Sequence, residues 1–284
     1  MKGEGGRGKG EKSSILAPES RLRVVITGAS GGLGLALARH YLERGAVVAA
    51  IARRGELLQV LAAEFPDKAH CYALDVRDSI AVQHAAEHFI AHVGVPDVVI
   101  ANAGVSVGTL TEYAEDINAF QQVMDINVLG MVKTFQPFVA AMRAAALSPG
   151  PARGEGKKYT LAGIASVAGF RGLPGAGAYS ASKAAAIAYL ESLRVELHGS
   201  GVKVVTLCPG YIKTSMTNIN PYPMPFILEA DEAARRIARA IGRQTSYAVI
   251  PWQMGFVGAL LRLLPRWLYD RLFAHAPHKP RGLL

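Results

Sequence analysis

Short apolar runs alternate with longer segments of helical period along most of this 284-residue chain. LRVVIT (22–27), AVVAAIA (46–52), HCYALDV (70–76), PDVVIANAG (96–104), YTLAGIAS (159–166), VKVVTLCPG (202–210) and SYAVIP (246–251) have the length and composition of strands. Residues 33–45, 56–65, 79–94, much of 114–146, a segment around Tyr179, and 229–242 read as helices. Strands that are apolar almost throughout must be buried on both faces, and repeated βα units give a parallel sheet with helices on either side. The expected fold class is therefore a doubly wound α/β single domain with a mostly parallel, seven-stranded sheet. Half of the residues are hydrophobic, which is enough for one large core.

The stretch TGASGGLG (27–34) directly follows the first strand and opens the first helix. Gly28, Gly31, Gly32 and Gly34, with Ser30 and Leu33 between them, allow a tight turn and close backbone approach. The helix N-terminus behind them offers unpaired N–H groups to a pyrophosphate. A glycine cluster alone is a weak signal; its position in a βαβ unit is the context that points to a dinucleotide. In such a unit the end of the second strand selects the cofactor: an acid for the ribose hydroxyls of NAD, an arginine for the 2′-phosphate of NADP. Here it reads Ile51, Ala52, Arg53, Arg54, without an acid. Arg53 supplies the planar fork a phosphate accepts. The competing reading is a solvated charge at a strand end. NADP(H) is the expected cofactor, with NAD(H) as the alternative.

AYSASKAAA (178–186) sets Tyr179 and Lys183 four residues apart, on one face of a helix. An ammonium beside a phenol favours the phenolate and makes a general acid usable near neutral pH. The bland alternative is a surface pair with no chemistry.

With these motifs in order, the chain resembles the short-chain dehydrogenase/reductase family over residues 21–251. TGASGGLG matches its glycine turn. Asn102, Ala103 and Gly104 match its NNAG-type strand end, with Ala101 for the first asparagine. Asn127 in MDINVLG, Ser166, and the Tyr179–Lys183 pair match its catalytic positions, and CPGYIKT (208–214) its segment beside the nicotinamide. The resemblance implies a Rossmann-type fold with strand order 3-2-1-4-5-6-7. It also implies that Tyr179 is the general acid or base, that Lys183 lowers its pKa and holds the ribose, that Ser166 hydrogen-bonds the substrate oxygen, and that Asn127 orders a relay water. Asp75 would approach the adenine and Val76 line its pocket. Pro209, Gly210, Ile212 and Thr214 would border the nicotinamide, Thr214 at its carboxamide. Many NADP-dependent relatives carry a basic residue inside the glycine turn, where this chain has Gly31, so cofactor choice is expected to rest on Arg53.

The implied activity is NADP(H)-dependent interconversion of a carbonyl and an alcohol on a lipophilic small molecule. The lipophilic expectation comes from TNINPYPMPFIL (217–228), an apolar candidate lid, with Phe170, Leu173 and Tyr211 offered as further lining. The alternative is a non-catalytic NADP(H)-binding sensor or scaffold, against which stands the presence of all four catalytic candidates. A homodimer or homotetramer is implied through the helices holding Asn127 and Tyr179.

The formal charge of +9 does not point to nucleic acid. Residues 1–23 hold six Lys/Arg against three Glu, and residues 262–284 hold five against one Asp, so the excess sits at the ends. Residues 1–20 read as a flexible arm rather than a secretory signal, and Cys71 and Cys208 read as buried thiols in a reducing, cytoplasmic setting. His84, His88 and His92 share a helix face but lack completing ligands, so no metal is expected. The extension 252–284 includes an amphipathic stretch, 254–273, that Pro265 should kink or break. It competes between capping the cleft, a subunit interface, and peripheral contact with a membrane surface, the last suggesting a lipid-modifying reductase.

Overall fold

The computed structural model describes residues 21–148 and 159–282. The strands are β1 (Arg23–Thr27), β2 (Val47–Ala52), β3 (Ala69–Ala73), β4 (Val98–Ala101), β5 (Tyr159–Ile164), β6 (Val202–Pro209), the two-residue pair β7 (Ile212–Lys213) and β8 (Leu228–Glu229), and β9 (Tyr247–Ile250). Seven of them form one parallel sheet in the order β3-β2-β1-β4-β5-β6-β9, the expected order with β9 as its seventh strand. The arm 1–20 and most of the loop expected at 148–158 lie outside the described residues.

Alternation along each strand divides the core in two. Val24, Ile26, Val48, Ala50, Val98 and Ile100 face α1 (Gly32–Leu42), α2 (Gly55–Glu64) and α8 (Ala230–Gly242). Val25, Ala49, Ile51, Val99 and Ala101 face α3 (Ser79–His92), α5 (Gly130–Leu147) and α6 (Gly177–Glu196). Both faces of the central strands are thus dry, which is why their sequences are apolar throughout. On the second face Phe89, Phe135 and Phe138 are buried, each worth about 1.5–3 kcal/mol relative to exposure. Asp78 caps α3 by accepting from Ile80 N and Ala81 N, both at 3.0 Å.

The long helix expected over 114–146 is two α-helical segments. α4 (Asp116–Met124) passes into α5 through one widened π turn, Asp125–Leu129. Such a turn re-aims the side chains it carries and is frequent at functional sites. Asn127 sits inside it. Just beyond, Gly130 allows the helix to approach Val76, whose Cγ2 would lie 2.8 Å from an added Cβ.

After the short α7 (Ser215–Asn218), α8 and β9, the chain forms α9 (Gln253–Leu263) and α10 (Arg266–Phe273), broken at Leu264–Pro265 as expected of the proline. The tail then turns back along the molecule. Gly108 N donates to Pro280 O at 3.0 Å, and Arg281 pairs with Asp116 and Glu115. No described helix is long and apolar enough to cross a membrane. On α3, His88 and His92 stack at 4.1 Å and His88 Nδ1 meets the Tyr72 hydroxyl at 3.0 Å. Among the described residues no group of three or more His, Cys, Asp or Glu is arranged to hold a metal. Cys208 is buried, but Cys71 is only part-buried, because the edge strand β3 is covered less completely than the centre.

Candidate active site

A single cleft runs along the C-terminal ends of the strands, where open α/β sheets bind ligands. Its floor is the glycine turn. Gly28 and Gly32 have φ of +71° and +51°, a region that suits glycine. Gly34 is required by contact: a Cβ there would sit 2.1 Å from the Gly28 carbonyl oxygen. Asn102 Nδ2 donates to Thr27 O at 2.9 Å, and Asn102 N and Ala103 N both donate to Thr27 Oγ1, so the ends of β1 and β4 are tied together. Gly31, the N-cap of α1, provides no side-chain cap. The first-turn N–H groups therefore face the cleft without a side-chain acceptor, a cradle that fits a pyrophosphate.

At one end of the cleft stand Arg53, Arg54, Asp75 and Val76. The expectation placed the basic group on Arg53, which lines the cleft here, and found none in the turn; the structure adds a second one. Arg54 folds back over the turn, its Nη2 donating to Ser30 Oγ at 3.2 Å and Ser30 O at 3.4 Å, its Nε to the same hydroxyl at 3.3 Å. An added Cβ at Gly31 would lie 2.8 Å from Nη2, so the missing side chain makes room for this guanidinium. Arg53 lines the same end and is exposed. Burial works to raise the Asp75 carboxyl, but hydrogen bonds from Arg77 hold it below the usual carboxylate range.

At the other end β5 delivers Ser166, which caps a single 3₁₀ turn, Val167–Gly169, by accepting from Ala168 N at 3.1 Å. Tyr179 stands in the first turn of α6 and lines the cleft with Ser166. Lys183, one turn on, is buried and donates to Ile164 O at 2.9 Å. Gly169 lets this loop rest on α6; a Cβ there would meet the Lys183 backbone carbon at 2.6 Å. Thr214 reaches over the glycine turn, its methyl 3.1 Å from a Cβ built at Gly32, and Pro209, Gly210 and Ile212 continue that wall.

Asn127 is fully buried behind the cleft rather than on its lining. Its Oδ1 accepts from Val105 N at 2.8 Å, and its Nδ2 donates to Val105 O and Ser182 Oγ, both at 2.9 Å. It clamps the loop after β4 to α6. Its Oδ1 also lies 3.2 Å from a Cβ built at Gly104, a position 3.5 Å from Lys183 Nζ.

Lys183 was expected to lower Tyr179; the groups that shift it here are burial, which holds the hydroxyl above the ordinary phenol value, and Ser166, which opposes that. Lys183 Nζ is 5.7 Å from the Tyr179 ring centroid, donates to a carbonyl, and is itself pushed down to about 8 by burial. Phe170, Leu173 and Tyr211, expected as lining, do not line the cleft; Phe170 packs beneath Gly258 of α9 and under Arg262, and Tyr211 faces Tyr222. Residues that sequence reasoning passed over do line it: Leu74, Val105, Ile126, Ser215 and Met216; of the candidate lid 217–228, its first residue Thr217 borders the cleft and the rest do not line it. Their neighbours in the motifs were the available signal.

The family model described as short chain dehydrogenase matches residues 23–221. An uncharacterized oxidoreductase of Myxococcus xanthus is 36% identical over 258 residues, 90% of this chain and 97% of that one. The 2-dehydro-3-deoxy-L-rhamnonate dehydrogenase (NAD(+)) of a Sphingomonas species is 35% identical over 197 residues, 69% of this chain and 74% of its own. A short chain dehydrogenase from Burkholderia cenocepacia, solved in complex with NADP, superposes with a TM-score of 0.75 at 25% identity, covering 90% of this chain and 98% of that one. A glycine cradle at one end of a cleft and a Ser–Tyr–Lys cluster at the other are thus found in a chain that belongs to the short-chain dehydrogenase family of oxidoreductases, acting on alcohol and carbonyl groups.

Proposed function

We propose that this protein is an NADP(H)-dependent reductase or dehydrogenase that interconverts a carbonyl and an alcohol on a lipophilic small molecule. The observation that carries the reading is the convergence of Ser166, Tyr179 and Lys183 at one end of a cleft whose other end holds two arginines and no unpaired acid. The cofactor, when bound, supplies or accepts the hydride.

The chain's own residues do the rest. The uncapped N-terminus of α1 and the glycine turn would hold the pyrophosphate, and Arg54 with Arg53 would hold the 2′-phosphate. Ser166 Oγ and the Tyr179 hydroxyl donate to the substrate oxygen, on which negative charge develops during reduction. Tyr179 gives that oxygen its proton, and in the reverse direction takes it back. A phenol held in its neutral form by burial suits the donor role. Lys183 Nζ, fixed by Ile164 O, would hold the cofactor ribose and favour the phenolate once the proton has left. Asn127 keeps Val105 and α6 in register, a positioning role. Apolar Val105, Ile126, Ile212 and Met216 on the cleft wall favour an apolar substrate.

The test is consumption of NADPH and of NADH with a panel of hydrophobic ketones, aldehydes and diketones, against Tyr179→Phe. Turnover should depend on Tyr179 and prefer NADPH, while Tyr179→Phe still binds the nucleotide. A Tyr179→Phe protein as active as the parent would refute the assignment.

A further inference from the structure

α9 and α10 present two unlike faces. The inner face is clamped to the segment after Ser166. Met254 and Gly258 are buried, and Arg171 donates to Leu264 O at 2.8 Å and also to Leu261 O. Arg171 lies 4.0 Å over the Tyr269 ring, and the Tyr269 hydroxyl donates to Gly172 O at 2.6 Å. The outer face is apolar and uncovered. Trp252, Phe256, Leu260 and Leu263 follow at i, i+4, i+8 and i+11, one stripe of a helix, and on α10 Trp267 and Leu272 are exposed as well. Leu263 is 81% exposed and Phe256 71%. A soluble monomer rarely leaves so continuous an apolar patch open without a use.

Charge decides between the occupants. Arg262, Arg266 and Arg271 are exposed beside the stripe, and residues 252–273 contain a single acid, Asp270. A second copy related by a two-fold axis would meet the same patch and bring these arginines toward each other. Anionic headgroups answer them instead. Both tryptophans of the chain, Trp252 and Trp267, are exposed on this two-helix segment, and indoles favour the level of the headgroups. The break at Leu264–Pro265 leaves two short helices suited to lying in that plane rather than crossing it.

We propose that the α9–α10 face docks this protein on an anionic lipid surface. The 170–172 segment that clamps these helices begins four residues after Ser166, so docking sets the surface beside the loop that carries the candidate catalytic serine. A lipophilic substrate could then be drawn from the lipid phase; that consequence rests on the function proposed above, whereas docking itself does not.

The experiment is flotation of the full chain with vesicles of phosphatidylcholine alone and with one quarter phosphatidylglycerol, at low and high salt. It is repeated with Leu260→Ser/Leu263→Ser and with Arg266→Gln/Arg271→Gln. The vesicle-bound fraction of the parent should rise about tenfold with the anionic lipid and fall with salt. The leucine variant should lose binding to both vesicles, and the arginine variant only the anionic preference. All these side chains are exposed, and a circular-dichroism melt shows whether each variant is folded. Tyr179→Phe should float like the parent, which separates docking from turnover. A parent that stays with the dense fraction on anionic vesicles overturns the proposal. So does a dimer, seen by sedimentation, that the leucine variant dissociates while vesicles capture nothing, because the face would then belong to a second copy.

Discussion

At Gly31 the missing side chain and the returning Arg54 are one feature. The guanidinium occupies the space a Cβ would take, at 2.8 Å, and is held there by Ser30. A hydrogen bond to a charged group is worth about 1.5–3 kcal/mol, roughly tenfold to a hundredfold in affinity. Arg54→Ala should therefore weaken NADPH by about that factor and leave NADH nearly unchanged, read by fluorescence titration of both nucleotides. Equal weakening of both would mean that Arg54 only braces the turn. Gly34→Ala tests the other side of the turn. Its new methyl would meet the Gly28 carbonyl at 2.1 Å, a backbone atom that no rotamer change can move. A loss of at least about 1–3 kcal/mol, seen as a lower urea midpoint, is expected. A neutral result would show that the turn has room the geometry denies it. Both arginines were legible as letters, and so was the missing acid. Which of the two turns back was not, because that depends on a contact with Ser30 across 24 residues.

Among the elements, those whose shape follows from local period were readable and those set by distant contacts were not. The seven strands of the sheet and the helices between them could be placed because apolar runs and helical spacing are local signals. The π turn at 125–129 could not, since it serves Asn127's bonds to Val105 and Ser182. Nor could the tail, which has no periodicity. Lys279 is buried there, donating to Ser106 Oγ at 3.0 Å and Met216 O at 3.2 Å, and so ties the tail to the loop after β4 and to α7. Burial lowers its pKa from 10.5 to about 8. Below about pH 8 both folded and unfolded chains carry the proton, and the penalty of burying the charge is constant. Between about 8 and 10.5 the unfolded chain holds a proton the folded one has released, so stability rises with pH. The parent should therefore gain stability relative to Lys279→Met as pH is raised through this window. Lys183 titrates in both proteins and cancels from the difference. Urea midpoints at a series of pH values would measure it, and a difference flat with pH would mean that the ammonium remains hydrated.

At the scale of the molecule, the parallel sheet gathers every strand's C-terminal end on one edge, and the cleft draws its lining from both halves of that edge. Gly28 and Arg54 come from the β1–β2 half, and Ser166, Lys183 and Thr214 follow β5 and β6. A ligand that touches both halves must bind the folded state and not the unfolded chain, so it stabilises by mass action. At a hundredfold excess over Kd this amounts to about 2.7 kcal/mol. A domain of this size melts roughly 2–4 °C higher per kcal/mol, so NADPH should raise Tm by about 5–11 °C. NADH at the same concentration should raise it less, because its ribose lacks the phosphate that Arg53 and Arg54 would meet. The gap between the two nucleotides should close in Arg54→Ala while a common shift persists, since the glycine cradle and Lys183 would serve both. A melting curve moved by neither nucleotide would contradict the cofactor site as a whole. A curve moved equally by both in the parent would leave the cradle standing and remove the basis for preferring NADP(H).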